Sequence, residues 1–330
     1  MQQKTIGGIM LISATLIWGT SLVAQSIGTK SVGPFTFNAV RFLIGACVLL
    51  PLILITDYQG HRDKAKSSNS PKKNYSLLKG GFICGSILFV TASLQQAGIA
   101  YTTVGKAGFI TSLYIIIVPI LERFRGKRID LKTWGCILLA TVGMYLLCID
   151  AKLILSFGDT LVLLCAFTTS IHILAIDFYS SKEDCIKLSC LQFSICGLLS
   201  IMAAFMFEHP ELQSIMRASI PILYTGILSC GIAYTLQTSG QKELDPVAAT
   251  LILSLESVFS ALCGWIVLRE TLNSREIVGC TLMFLATITS QTAAMHEQKH
   301  ETMGNASVLS QINLKIIKDS KTKGMPRDKQ

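Results

Sequence analysis

Long apolar runs separated by short polar stretches dominate the chain. A helix needs about 20 mostly apolar residues to cross the hydrocarbon core of a bilayer. Ten stretches meet or approach that length: 6–26, 35–55, 77–98, 103–121, 133–149, 157–177, 185–207, 218–239, 246–268 and 275–294. None alternates apolar and polar residues as a half-buried strand would, which argues against a β-barrel. The first run follows a single Lys4, but it is too long for the core of a secretory signal and has no small-x-small site near its end. The pattern predicts an all-α polytopic membrane protein with ten transmembrane helices.

The runs repeat. Residues 4–50 can be laid on 155–201 at a constant offset of 151, which places Gly7 on Gly158 and Arg41-Phe42 on Gln192-Phe193. Residues 94–128 lie on 236–270 at an offset of 142, pairing Leu94-Gln95 with Leu236-Gln237, Gly98 with Gly240, Ala107 with Ala249 and Ser112-Leu113 with Ser254-Leu255. A two-residue gap then brings Gly135-Cys136 onto Gly279-Cys280. Each copy holds five apolar segments, and an odd number of crossings makes the second copy enter from the opposite face. The expected organisation is therefore two inverted five-helix repeats, 1–149 and 150–294, followed by a basic tail, 295–330, that reads as disordered. A polar loop at 56–79 is a solvated connector within the first repeat, and the stretch between the repeats is too short to separate two domains. Inverted repeats are how many secondary transporters are built, with a site between the halves near the bilayer midplane.

Composition agrees. Only 15% of residues are charged, where a soluble domain has roughly a quarter. With the amino terminus in the cytoplasm, the internal segments carry 22 Lys and Arg and the external ones 6. That bias places both termini inside, in a plasma membrane or bacterial inner membrane. The net charge of +9 then reports topology and contact with the anionic lipid bilayer, and nucleic-acid binding is not implied. The eleven cysteines lie in or beside apolar runs with no Cys-x-x-Cys pair, so they read as small apolar side chains, with no metal and no disulfide framework. Neither a nucleotide-binding P-loop nor any other cofactor motif is present. The small-residue spacing Gly81-Phe82-Ile83-Cys84-Gly85 lets helix backbones approach closely, inside a monomer ahead of a homodimer contact.

Ionisable and polar residues inside the runs are the candidate chemistry, because a charge at the bilayer centre costs about 2.5–3.5 kcal/mol on insertion scales. Glu256, near the midpoint of the ninth run, is either a group that couples to a proton or binds a cation, or a carboxyl held by a neighbouring helix. Its repeat mate is Tyr114, also polar-tipped. Arg41 corresponds to Gln192; it either holds an anionic group or bonds carbonyls at a helix break, and the structural role leads. Lys106 sits at the outer end of the fourth run, where a long side chain can snorkel to the interface. His172, aligned with Ser21, is a proton relay or, more commonly, a helix–helix hydrogen bonder. Gln95 and Gln237 are repeat mates at opposite ends of their runs, placed to line two vestibules or to pin neighbouring helices, with Gln96 beside them. Trp18, Trp134 and Trp265 are interface or cavity aromatics.

The segments Trp18-Gly19-Thr20-Ser21, Arg41-Phe42, Tyr101 through Tyr114 followed by Pro119, Gly158-Asp159, Leu191-Gln192-Phe193, Leu255-Glu256-Ser257-Val258-Phe259 and Leu268-Arg269-Glu270-Thr271-Leu272 together resemble the EamA-type transporters of the drug/metabolite transporter superfamily. The resemblance covers about Ile6 to Thr292. It implies a ten-helix fold, a central cavity between the halves, and export or exchange of small metabolites such as amino acids, amines or drug-like compounds. Two departures stand out: Ser257 follows Glu256 where the family often has proline, and Thr168-Thr169-Ser170 stands where a second tryptophan is common. The expectation is a secondary transporter of a small-molecule substrate, working by alternating access, with proton coupling ahead of facilitated exchange and Glu256 and Tyr114 facing the cavity. The rival readings are a membrane-embedded enzyme, which the scattered histidines at 61, 172, 209, 296 and 300 do not favour, and a sensor or scaffold acting through the tail.

Overall fold

The computed structural model describes residues 2–63, 71–102, 104–148, 156–268, 274–275 and 277–290. The tail, most of the inter-repeat stretch, part of the 56–79 loop and the motif Arg269-Glu270-Thr271-Leu272 lie outside the described residues.

Helices make up the fold: α1 (Gln2–Gly28), α2 (Pro34–Asp63), α3 (Pro71–Ile99), α4 (Val104–Thr111), α5 (Tyr114–Phe124), α6 (Leu131–Cys148), α7 (Phe157–Ser180), α8 (Cys185–Phe207), α9 (Leu212–Arg217), α10 (Ser219–Tyr224), a π-helical segment (Thr225–Tyr234), α11 (Thr235–Lys242), α12 (Pro246–Leu253), α13 (Leu255–Leu268) and α14 (Ile277–Ser290). Among the described residues, eight segments are long and apolar enough to cross a membrane. The fifth and tenth expected runs appear as shorter apolar helices, Leu131–Leu146 and Ile277–Ser290.

Three expected continuous helices are interrupted. The fourth run divides into α4 and α5 at Ser112-Leu113, and the ninth into α12 and α13 at Ser254. At the first break Leu113, Ile115 and Ile116 donate to carbonyls three residues back, and at the second Ser257 donates to Ser254 at 3.1 Å. These tighter turns break the α-helical ladder. The two breaks fall on the aligned pair Ser112-Leu113 and Ser254-Leu255. The eighth run contains the π-helical segment, an irregularity that hydropathy alone does not reveal.

Several helix starts are capped. Ser156 and Asp159 form a reciprocal capping box on α7, Asp184 accepts from Ile186 and Lys187 at the start of α8, and Asp245 accepts from Val247 ahead of Pro246 on α12. The start of α2 is capped from a distant helix end: the Glu208 carboxylate accepts from Phe35 N at 2.8 Å, Thr36 N at 2.9 Å and the Thr36 hydroxyl at 2.6 Å. At the other end of the α2–α8 pair, Lys187 donates to Asp57 at 2.6 Å. Within the aligned blocks Lys187 is the repeat mate of Thr36.

Apolar side chains fill the core and also cover the outer surface, unlike those of a water-soluble fold. Large apolar side chains such as Leu54, Phe205 and Ile220 face outward, whereas Arg41, Asn38, Gln192 and Glu256 are buried. Apolar outer surface costs nothing in lipid, and polar groups must find shelter among the helices. The helices approach most closely at glycines. A Cβ on Gly240 would lie 2.8 Å from the Gly7 carbonyl oxygen, and one on Gly158 would lie 2.8 Å from that of Gly98. The two crossings, α1 on α11 and α7 on α3, join residues that the repeat alignment equates. Gly81 and Gly85 abut Leu191 and the Gln192 carbonyl of α8, so this small-residue face is used inside the chain.

Candidate functional site

Where the interrupted helices cross, the Ser112 and Ser257 hydroxyls meet at 2.5 Å, and Ser257 also donates to the Gly108 carbonyl at 3.3 Å. Ser257, one of the departures from the family pattern, thus ties α13 to α4. Next to this crossing lies a narrow cavity with a free interior of about 40 Å³, room for roughly three waters at 10–15 Å³ each. Its wall includes Trp18 and Gln25 of α1, Arg41 of α2, Thr91 and Gln95 of α3, Thr111 and Tyr114 at the first break, His172 of α7, Ser229 and Tyr234 of the π-helical segment, Gln237 of α11 and Glu256 at the second break.

Arg41 is 2% exposed and Glu256 is 6% exposed. Neither makes a hydrogen bond or ion pair with another described residue. The Arg41 guanidinium is steadied by aromatic faces instead, 4.8 Å from the Phe42 ring centre and 5.6 Å from that of Phe37. Gly226 lets the π-helical segment approach α2 at this level, since a Cβ there would lie 3.0 Å from the Arg41 carbonyl oxygen. Tyr234 is the hub of the aromatic wall. Its ring lies 4.8 Å from Trp18, 5.7 Å from Phe193 and 6.4 Å from His172, each edge to face. Around these charges stand buried polar atoms with no hydrogen-bond partner among the described residues: Trp18 Nε1, Thr91 Oγ1, Gln25 Oε1 and Gln237 Oε1. Buried polar atoms in a finished core are hydrogen-bonded. A wall carrying this many without partners is suited to a polar occupant.

Seven of the singled-out residues meet on this wall: Glu256, Tyr114, Arg41, Trp18, His172, Gln95 and Gln237. Gln95 and Gln237 share one cavity rather than lining two separate vestibules, because the helices carrying them converge there. Gln192 stands one layer back, its Oε1 3.0 Å from His172 Nε2, where it orients the imidazole. Lys106 lies off the cavity: its ammonium is 3.9 Å from the Asp159 carboxylate, which also accepts from Thr102 at 2.5 Å. Trp265 is exposed and Trp134 packs against the cluster built on α5, α6, α12, α13 and α14. Thr169, Thr111 and Leu253 also line the cavity. Repeat alignment could have found them, since Thr169 is the mate of Trp18 and Thr111 that of Leu253. Ser229 and Tyr234 carry no such signal, because they fall outside the aligned blocks.

At one end of the bundle, Lys127 bonds to Asp245 and lies 3.3 Å from Glu122, which pairs with Arg125 at 2.6 Å. This cluster joins the end of α5 to the start of α12. Partial burial lowers the Lys127 pKa, but the Asp245 and Glu122 carboxylates outweigh that and hold the ammonium above its ordinary 10.5.

Comparison with known proteins agrees with this architecture. The model of the EamA-like transporter family matches residues 5–149 and again 156–291. An uncharacterised transporter of Archaeoglobus fulgidus is 31% identical over 85% of this chain and 83% of its own length. The uncharacterised transporter YoaV of Bacillus subtilis is 26% identical over 83% of this chain and 92% of its own. A solved crystal structure superposes with a TM-score of 0.68 over 88% of this chain and 98% of its own at 18% identity, which shows a shared fold. A family match over both halves, on a bundle of apolar helices around a polar cavity, leads to one conclusion: the chain is a multi-pass membrane protein belonging to the EamA-like transporter family of the drug/metabolite transporter superfamily.

Proposed function

We propose that the protein is a secondary transporter that exports or exchanges a small polar metabolite by alternating access, with its site in the cavity between two inverted five-helix repeats. The observation that carries this reading is the cavity wall itself, where Tyr114 and Glu256, Gln95 and Gln237, and Trp18 and Thr169 contribute as repeat mates. The glycine crossings Gly7–Gly240 and Gly98–Gly158 support the same pseudo-symmetry, each joining a helix of one repeat to a helix of the other. Symmetry of this kind lets one bundle rock against the other about a fixed midplane site. Glu256 is the group proposed to couple transport to a proton.

The reading is tested by counterflow in proteoliposomes with a panel of amino acids, amines and other small metabolites, repeated with Glu256→Gln. Transport reading predicts accumulation of at least one solute by the unaltered protein and a loss or change of pH dependence in the variant. No accumulation of any solute under any imposed gradient would count against it. Single cysteines placed at the two ends of the chain should label from the same, cytoplasmic side; labelling from opposite sides would refute the even-numbered inverted-repeat topology.

A further inference from the structure

We infer that a crevice at the end of the bundle holding the amino terminus is a binding site for one membrane phospholipid with a primary ammonium headgroup, a phosphatidylethanolamine. The crevice has a volume of about 340 Å³, within the range of about 300–1,000 Å³ for small-molecule sites. It lies between the first turns of α1, the start of α8 and the end of α11, and it shares no lining residue with the midplane cavity. Helix α11 separates the two: Gln237 lines the cavity, whereas Ser239, about half a turn round the helix, lines the crevice. The inference needs only that the chain spans a membrane, so it stands or falls apart from the transport reading.

The crevice wall has an apolar part and a charged part. Ile6, Met10 and Ile186 supply the first. Ile6 is exposed, and the outward strip continues along α1 through Ile9 and Ile12. An acyl chain lying against α1 can therefore run into the crevice without leaving apolar surface, a feature that a soluble ligand does not need. Lys242, Glu243 and Asp184 supply the charged part. The Lys242 and Glu243 side chains make no hydrogen bond or ion pair with another described residue. Asp184 caps α8 through Oδ1 alone, which accepts from Ile186 N at 2.9 Å and Lys187 N at 3.0 Å, so its other oxygen is left for a ligand. A phosphodiester suits the Lys242 ammonium, and a primary ammonium with three N–H donors suits the two carboxylates. A choline headgroup has no N–H to donate. A glycerol headgroup brings no cation and sets a net negative charge beside two carboxylates. Phosphoethanolamine matches both signs at once.

The experiment takes the purified full chain, stripped of co-purifying lipid in detergent. Added to it are the dioleoyl forms of phosphatidylethanolamine, phosphatidylcholine and phosphatidylglycerol, which share their acyl chains, or soluble phosphoethanolamine. Binding is read by native mass spectrometry and by the shift in melting temperature. In the unaltered protein phosphatidylethanolamine should bind about tenfold or more tighter than either other lipid, the factor that one charge-assisted hydrogen bond supplies. Glu243→Gln should remove most of that preference and leave phosphatidylcholine unchanged. Lys242→Gln should weaken phosphatidylethanolamine and phosphatidylcholine together, because both carry the phosphate. Equal binding of these two lipids by the unaltered protein overturns the inference. So does an ethanolamine preference that survives Glu243→Gln in full, which marks an effect of bulk lipid rather than of this crevice. Soluble phosphoethanolamine that stabilises the chain as well as the lipid does overturns the lipid assignment. Because the first comparison uses the unaltered protein, a variant that fails to fold does not remove the test.

Discussion

Gly158→Ala tests whether the close helix crossings hold the bundle together. The added methyl carbon would lie 2.8 Å from the Gly98 carbonyl oxygen and 2.8 Å from both the carbonyl carbon and the Cβ of Tyr101. Ordinary contact begins at 3.4 Å, so α7 and the end of α3 must separate by about 0.6 Å, or the backbone must bend. Backbone atoms cannot rotate away as a side chain would. Overpacking of this kind costs about 1–3 kcal/mol. Against it stands the gain from replacing a helical glycine by alanine, roughly 0.5–1 kcal/mol. The net is a loss of up to about 2.5 kcal/mol, centred near 1 kcal/mol, or roughly 2–4 °C in melting temperature at that centre. Gly135→Ala is the control, because nothing lies within 4 Å of its Cβ position; it should melt at or above the unaltered protein. The assay is thermal unfolding of the detergent-purified chain followed by size-exclusion fluorescence. Gly240→Ala, at the repeat-related crossing 2.8 Å from the Gly7 oxygen, should fall by a similar amount. Equal melting temperatures for the Gly158 and Gly135 variants would refute the reasoning.

Removing the carboxylate that caps α2, by Glu208→Ala, strands the Phe35 and Thr36 amides and should cost about 1–3 kcal/mol; Glu208→Gln, which keeps an acceptor, should lose less in the same melt. The Lys127 cluster predicts an alkaline effect. Because its folded pKa is raised, its contribution is complete below pH 10.5 and fades as pH rises through the higher folded value. Melting temperature should therefore decline more steeply above pH 10.5 in the unaltered protein than in Asp245→Asn; parallel curves would contradict this. Lys106 is partly exposed, pairs with the buried Asp159 and lies off the cavity, so Lys106→Gln should change apparent substrate affinity by at most about fivefold, or about 1 kcal/mol. A larger change in a transport titration would place Lys106 functionally within the site.

Much about this protein was legible in residue order alone. Apolar runs of membrane-crossing length, with few charges and no strand alternation, specify helices because lipid offers the backbone no hydrogen bonds. The segments around Trp18, Arg41, Tyr114 and Glu256 also carried the family resemblance, because motifs are local strings of residues. What hydropathy could not report was how those runs are interrupted or where their faces meet. Ser112-Leu113 and Ser254 sit inside apolar stretches that read as unbroken helix; their breaks arise from local tightening of backbone hydrogen bonds, a feature with no signature in side-chain polarity. The same limit applies to Tyr234 and Ser229, which join the cavity through the π-helical segment and close approach at Gly226. Lys106 shows the converse. At the outer end of its run it read as a lysine able to snorkel to the interface, but only the packing of α4 on α7 delivers it to Asp159, while α2 carries Arg41 inward. Sequence thus determined which segments seek lipid and which charges need an explanation. Tertiary structure alone decided which of those charges share one space, because convergence on a cavity depends on helix rotation and crossing, and both are set by contacts between residues far apart in the chain.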